Sequence, residues 1–231
     1  MSHNNSDRTI QIDAIDKLFF KDGKPFDIGE GLYSEGKFPP RPSVFYGALR
    51  TLFFAHHKLE LIKANALDDP TKHLVIKDIY YRYEDEDYRV CPNDIVELNN
   101  GSNTYTTLDL IKNIKQSSAP SLEFIPYSNI EIENIENGLI SVHGFKKYIH
   151  NENLEKEIKK LDNLIFSEPK IGIKLNNSSG TTESGNLYHL NFKRPLGLSF
   201  ILKYSGLDLP NEGFMKLGSE GKAVSYKEVE N

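Results

Sequence analysis

Residues 38–50, with the sequence FPPRPSVFYGALR, decide the fold prediction for this chain because they mark the start of its longest helix. Pro42 suits the first helical turn, where the missing N–H of proline removes no hydrogen bond. Gly47 interrupts the pattern, since glycine inside a helix costs ~1 kcal/mol against alanine and so indicates a packing or close-approach role. The apolar positions that recur at helical spacing over residues 42–64 are Val44, Phe45, Ala48, Leu49, Leu52 and Phe53.

The segments on either side of this helix predict strands. Residues 9–20 alternate apolar and polar side chains, which predicts a first strand before the helix. Residues 74–83 and 88–98 predict two further strands, joined by a turn at the acidic run 84–87. Residues 122–149 predict more strands, with a turn signal at Asn137 and Gly138.

The C-terminal part of the chain predicts one more helix and then strands. Residues 152–164 have the apolar spacing of an amphipathic helix, and strands are predicted at 187–192 and 198–204. Helices and strands follow one another without regular βαβ spacing. The predicted fold class is therefore α+β rather than a doubly wound parallel sheet.

The net charge of this 231-residue chain gives no support to a nucleic-acid-binding protein. It is −5 at neutral pH, so the overall basic footprint of such proteins is absent. The acidic excess, however, lies entirely in residues 61–150, which carry 9 basic and 14 acidic side chains. Basic and acidic residues balance in residues 1–60 and 151–231, so either end can form a local basic surface.

The composition predicts a soluble protein of a reducing compartment. The single cysteine, Cys91, excludes an internal disulfide framework. No apolar run approaches ~18 residues, and the polar residues 1–7 lack the apolar core of a signal peptide. We therefore expect a cytoplasmic location and no membrane association.

Two short segments have features of phosphate sites. The first is a glycine-rich turn at residues 218–222, where backbone N–H groups and Lys222 can face a phosphate. Its spacing is not that of the phosphate loop of nucleotide hydrolases, and an ordinary turn is the more common explanation of such a segment taken alone. The second is the helix start with Arg41, Ser43 and Arg50, for which a solvated polar face is the alternative.

No segment predicts a catalytic, metal or cofactor site with any specificity. His56 and His57 can supply a general base, although a histidine pair near a helix end is usually a surface feature. The remaining histidines lack the spacing of zinc ligands, and the acidic run 84–87 is typical of a hairpin tip facing water. We expect no metal and no cofactor.

Several segments taken together are more specific than any one of them. In their order along the chain they resemble the RAMP proteins that form the third subunit of Cmr effector complexes in type III-B CRISPR systems. The resemblance covers about residues 10–224, and its most specific blocks are FPPxPSxxxGALR and LGxEGK. The segments that carry it are residues 15–26, 38–50, 91–94, 168–173, 185–188 and 217–222.

The resemblance implies ferredoxin-like, RNA-recognition-type folding in two units. It implies an N-terminal domain at residues 1–145 with a hairpin insertion, and a C-terminal region at 146–231 with the glycine-rich loop. Members of this family continue with further strands after that loop. The second ferredoxin-like unit is therefore either incomplete here or completed by a partner. Ser219 also departs from the family, which usually has another glycine at this position.

The resemblance also implies a non-catalytic function. Such a subunit holds the 5′ repeat-derived tag of the CRISPR RNA and bridges the large polymerase/cyclase-like subunit to the backbone subunits. Tyr46 is expected to stack on a base or to pack in the core. Lys21, Lys24 and Lys37 are further candidates. The implied RNA-binding residues are Arg41, Ser43, Tyr46, Arg50, Lys216, Gly218, Gly221 and Lys222.

Two other functions stay open at this stage. One is a metal-independent endoribonuclease of the RAMP class that processes CRISPR RNA, with His56 or His57 as base and help from Tyr33. The other is a structural adaptor that contacts only proteins. Cleavage of repeat RNA in EDTA would favour the first, and crosslinking of bound RNA to the chain would exclude the second.

Overall fold

The computed structural model describes residues 6–21, 32–34, 36–98, 104–113, 122–175 and 182–230. Two short 3₁₀ segments, Lys58–Lys63 and Leu161–Leu164, accompany the α-helices and strands. In chain order the α-helices and strands are β1 (Arg8–Ala14), β2 (Leu32–Ser34), α1 (Pro42–His56), β3 (Val75–Tyr83), β4 (Glu86–Val90), β5 (Ile95–Leu98), β6 (Tyr105–Thr107), β7 (Asp109–Lys112), β8 (Phe124–Tyr127), β9 (Ile132–Asn134), β10 (Gly138–Ser141), α2 (Val142–Ile149), β11 (Ile158–Lys160), β12 (Ile165–Leu175), β13 (Thr182–Pro195), β14 (Ser199–Ser205), β15 (Glu212–Lys216) and β16 (Ala223–Glu228).

The chain forms two compact units, and the first of them is discontinuous. It combines Met1–Tyr83 with Leu164–Asn231, and the second unit is Glu84–Asn163. The two ends of the chain share a unit because β1 pairs with both β14 and β16. The boundary expected between residues 145 and 146 falls inside α2, within the second unit.

The first unit is built on an antiparallel sheet with the strand order β3-β14-β1-β16-β15. Helix α1 connects β1 to β3 and packs on this sheet, with the ring of Phe45 5.4 Å from that of Phe200. Both rings are fully buried, as are Ile10 and Ile12 of β1. The apolar stripe that predicts α1 therefore covers the sheet, as an amphipathic helix does.

A long antiparallel hairpin, β12 with β13, belongs to the same unit, and β2 runs parallel to β13. The segment after β1 is joined to this hairpin. Leu18 and Lys193 exchange two backbone hydrogen bonds of 2.7 and 2.8 Å. Phe19 packs on Phe192 with ring centroids 5.4 Å apart. This small buried cluster fixes residues 18–20 beside the base of the hairpin.

Within the second unit the strands pair antiparallel in the orders β11-β10-β4, β6-β5-β9 and β7-β8. Helix α2 packs against β10 and β4. Cys91 lies in the buried core of this unit with Ile95 and Ile140. Burial raises the pKa of the Cys91 thiol to about 12, so the thiol is un-ionised at neutral pH.

The predicted α+β class is confirmed, since the described residues form mostly antiparallel sheets with two α-helices. The helix predicted to reach residue 64 ends at His56, where a 3₁₀ segment follows. The helix predicted over residues 152–164 is wrong. Asn151 and Lys156 have positive φ angles, which interrupt a right-handed helix. No helix in the described part of the chain is long and apolar enough to cross a membrane.

Candidate functional site

A cleft of about 510 Å³ lies in the first unit between helix α1 and the loop that joins β15 to β16. Lys21 and Lys216 are its only charged lining residues among those that the structure describes. The other polar side chains are the hydroxyls of Ser43, Thr51 and Ser219. The complete lining is Phe20, Lys21, Ser43, Val44, Gly47, Ala48, Thr51, Lys216, Gly218, Ser219 and Gly221.

The loop wall of the cleft is pinned to the segment after β1. The backbone N–H of Ser219 donates to the carbonyl oxygen of Phe19 over 2.8 Å, and the N–H of Leu217 donates to the carbonyl of Lys222 over 2.9 Å. Gly218 has a φ of +77°, and a Cβ there would lie 2.5 Å from the Phe19 carbonyl oxygen. Only glycine therefore fits this position.

The helix wall is formed by Ser43, Gly47 and Thr51, which lie at i, i+4 and i+8 and thus on one face of α1. The Thr51 hydroxyl donates to the Gly47 carbonyl over 2.8 Å. A Cβ built on Gly47 has no neighbour within 4 Å. Gly47 is thus not required by packing, and the missing side chain leaves the cleft open.

The cleft favours an anionic ligand. Its two lysines carry positive charge, and no carboxylate is among the described lining residues. Ser43 lies in the first turn of α1, at the positive end of the helix dipole. Glycine backbone on the opposite wall allows a ligand to approach closely. The arrangement can bind a phosphate chain, and its described lining contains no histidine, carboxylate, cysteine or tyrosine.

Four of the eight predicted site residues meet at this cleft: Ser43, Lys216, Gly218 and Gly221. Lys222 belongs to the same loop but lies outside the lining. Its ammonium is 3.6 Å from a carboxylate oxygen of Asp16. A hydrogen bond from the Lys17 backbone N–H, together with the charges of Lys222 and Arg194, lowers the pKa of Asp16.

The expectation that Arg50 faces the same groove is not met. Its Nη2 donates to a carboxylate oxygen of Asp69 over 2.7 Å, and its Nε donates to the hydroxyl of Thr71 over 2.7 Å. The guanidinium carbon lies 5.8 Å from the Tyr46 ring centroid. Position 50 follows position 43 by seven residues and so lies near the same helix face, but the Arg50 side chain is engaged by Asp69 and Thr71. Neither Tyr46 nor Arg50 lines the cleft.

Of the other candidates, Lys21 lines the cleft, whereas Arg41, Lys37, His56 and His57 do not. Arg41 occupies the N-cap position of α1 without a side-chain capping hydrogen bond and is exposed. His56 and His57 are exposed, and the His57 ring packs 4.4 Å from that of Phe53. Lys37 is exposed as well. Lys24 and the side chain of Tyr33 lie outside the described residues.

Sequence reasoning missed Thr51 and Phe20 as parts of the cleft. Thr51 follows Ser43 and Gly47 at the same four-residue spacing, which was a usable signal. Phe20 comes beside the loop through the Phe19–Ser219 hydrogen bond, which no local pattern reveals. Over the residues that the structure describes, no three or more His, Cys, Asp or Glu side chains are grouped to hold a metal ion.

Fold and cleft together define an α+β protein with a glycine-walled, lysine-flanked cleft. A family model described as CRISPR-associated protein (Cas_Cmr3) matches residues 10–231, and the chain belongs to this family. The resemblance to the third Cmr subunit is thereby confirmed. No curated protein matches the chain significantly.

Two solved structures show the same fold. Both are cryo-EM structures of Type III-B Cmr-beta bound to cognate target RNA, one of them also with AMPPnP in state 1. The AMPPnP structure has a chain with a TM-score of 0.50 and 15% identity, and the other a chain with a TM-score of 0.52 and 16% identity. Both matches cover 97% of this chain, which spans 63% and 64% of the matched chains.

Proposed function

We propose that this chain is the RNA-holding subunit of a type III-B CRISPR effector complex and that the cleft between α1 and residues 217–222 receives the 5′ repeat-derived tag of the CRISPR RNA. Family membership and the likeness to chains of RNA-bound Cmr-beta complexes support this proposal. In the complex the subunit bridges the large polymerase/cyclase-like subunit and the backbone subunits.

The strand order supports a ferredoxin-like assignment of the first unit. Four of its strands, β1, β3, β14 and β16, come in that order along the chain and lie as β3-β14-β1-β16 in the sheet. With α1 between the first two strands, this is the order of a ferredoxin-like split βαβ arrangement. Strand β15 stands where the second helix of that arrangement would come.

The observation that carries the proposal is the lining of the cleft. RNA backbone is held by lysines, hydroxyls, backbone N–H groups and helix N-termini. The cleft presents Lys21, Lys216, Ser43 and the exposed glycine backbone of residues 218 and 221. None of its described lining side chains is a histidine, carboxylate, cysteine or tyrosine, which supports holding of RNA rather than cleavage.

Filling the cleft from the helix side tests this proposal. Gly47→Gln places a side chain in the open space, so we expect the affinity for a labelled single-stranded RNA carrying the 5′ tag to fall at least about tenfold. The same substitution should stabilise folding by about 0.5–1 kcal/mol, because it removes glycine from a helix interior. Fluorescence anisotropy gives the affinity, and urea denaturation gives the free energy of unfolding.

Ala55→Gln is the matched control. Ala55 is small and exposed on the same helix but does not line the cleft, so this variant should bind RNA as the wild type does. Unchanged RNA binding by Gly47→Gln, or the same loss in both variants, contradicts the proposed site. Failure of the wild-type chain to bind the tagged RNA at low salt contradicts the proposed function and favours a protein-only adaptor.

A further inference from the structure

Three lysine ammonium groups surround one aromatic ring at the base of the β12–β13 hairpin. The ammonium nitrogens of Lys222, Lys17 and Lys170 lie 5.0, 5.3 and 5.8 Å from the centroid of Phe192. No two of them are therefore more than about 11 Å apart. Like charges at this density repel one another, so they indicate either compensating carboxylates or an anionic ligand.

The carboxylates that the structure describes beside these lysines do not balance their charges. Asp16 and Glu168 lie beside the lysines, but both also accept from Arg194, whose Nη2 is 2.9 Å from Asp16. Lys17 pairs with Glu168 over 2.9 Å, and Lys222 lies 3.6 Å from Asp16. Three of the four cations, Lys17, Lys222 and Arg194, thus share two carboxylates. Lys170 has no carboxylate partner among the residues that the structure describes, and its side chain is exposed.

The register of the hairpin places the surplus positive charge on one face. Glu168 pairs with Phe192 and Lys170 pairs with Leu190, so these four side chains point to the same side of the hairpin. Lys193 is on the other side, where its ammonium donates to the hydroxyl of Ser167 over 2.9 Å. The basic patch is defined here as Lys17, Lys170, Arg194 and Lys222.

Burial of the central ring determines what the patch can recognise. Phe192 is fully buried, so a base cannot stack on it. The ring instead supports the lysines through cation–π contacts, leaving their charges for an anion. Such a patch reads phosphate charge and not base identity.

The patch is continuous with the cleft through a single loop. Gly218, Ser219 and Gly221 line the cleft, and Lys222, the next residue, belongs to the patch. We infer that the basic patch binds backbone phosphates of the same RNA strand that occupies the cleft and extends its path onto the hairpin. This inference rests on the proposed function. It implies that binding at the patch does not depend on the RNA sequence.

Charge reversal at Lys170 tests the inference without disturbing the fold. In the 231-residue chain, Lys170→Glu should weaken the binding of tagged single-stranded RNA about three- to tenfold at 50 mM salt, equally for two RNAs that differ in sequence. For Lys170→Ala, the slope of log K against log salt should become shallower by about 0.7. Lys193→Glu makes the same charge change on the opposite face of the hairpin. This control variant should lose clearly less RNA affinity than Lys170→Glu.

The outcomes separate this inference from the proposed function. Unchanged RNA affinity in Lys170→Glu, or an equal loss in Lys193→Glu, overturns the patch even where Gly47→Gln still impairs binding. Binding of polyglutamate, measured in the same way, tests whether the patch faces an acidic protein surface instead. If Lys170→Glu loses polyglutamate binding but keeps its RNA affinity, the inference that the patch binds RNA is overturned. If neither Lys170→Glu nor Gly47→Gln changes RNA affinity, the proposed function fails as well.

Discussion

Replacement of Gly218 by alanine should lower the free energy of unfolding by about 2–4 kcal/mol. The residue has a φ of +77°, which costs a non-glycine residue about 1–2 kcal/mol. Its Cβ would lie 2.5 Å from the Phe19 carbonyl oxygen and 2.8 Å from the Phe20 ring. The same oxygen accepts the hydrogen bond from Ser219, so relief of the clash also removes about 1 kcal/mol of hydrogen bonding.

Gly221→Ala separates the clash from the backbone strain. Gly221 has a φ of +63°, but a Cβ there has no neighbour within 4 Å. We expect this variant to lose only about 1–2 kcal/mol. Urea denaturation of both variants at one temperature measures the difference, provided that their m-values agree. Equal losses would mean that contact with residues 19 and 20 does not hold the loop wall in place.

The local parts of the site were predictable from the sequence, and the distant parts were not. Pro42 starts α1 as predicted, and the glycines of the 217–222 loop do have positive φ, because both depend on backbone preferences within a few residues. The loop meets α1 only because β1, β14 and β16 pair across the chain. Local sequence patterns do not predict pairing between strands that are so far apart along the chain.

Two wrong predictions in the second unit have local physical causes. The strands predicted up to residue 149 end at Ser141, whose hydroxyl accepts from the Gly144 N–H over 2.9 Å and so starts helix α2. In the predicted helix 152–164, Leu154, Ile158 and Leu161 are buried as expected. Their spacing also suits an irregular segment followed by a short strand, and backbone turns at Asn151 and Lys156 select that alternative.

Arg50 is the residue whose role in the structure differs most from the role that the sequence predicts. The sequence places it with the phosphate-facing residues, whereas its guanidinium bonds to Asp69, whose side chain is only 7% exposed. Asp69 also accepts from the backbone N–H groups of Asn65 and Thr71, both over 2.7 Å. The network holds residues 65–71 against α1, and none of its members lines the cleft.

Arg50→Ala should therefore destabilise the fold by about 1–3 kcal/mol, because a buried carboxylate keeps its hydrogen bonds from Asn65 and Thr71 but loses its charged partner. RNA affinity measured below the unfolding transition should stay close to that of the wild type. Lys63→Ala is the matched control, since Lys63 forms an exposed ion pair with Glu60 over 2.8 Å and should contribute no more than about 1 kcal/mol. A large loss of RNA affinity in a folded Arg50→Ala chain would contradict this structural role and show that Arg50 takes part in RNA binding.

Acid unfolding gives an independent measure of the same network. Burial alone would raise the pKa of Asp69, but hydrogen bonds from Thr71 and Asn65 and the charge of Arg50 together lower it to about 2. Because the folded pKa lies below the usual aspartate pKa of 3.8, the carboxylate stabilises the fold above that pH. About 2 kcal/mol should disappear as the pH falls from about 5 to about 2. Asp69→Asn should be less stable at neutral pH and lack this part of the acid dependence. An unchanged pH profile in Asp69→Asn would show that Asp69 does not hold residues 65–71.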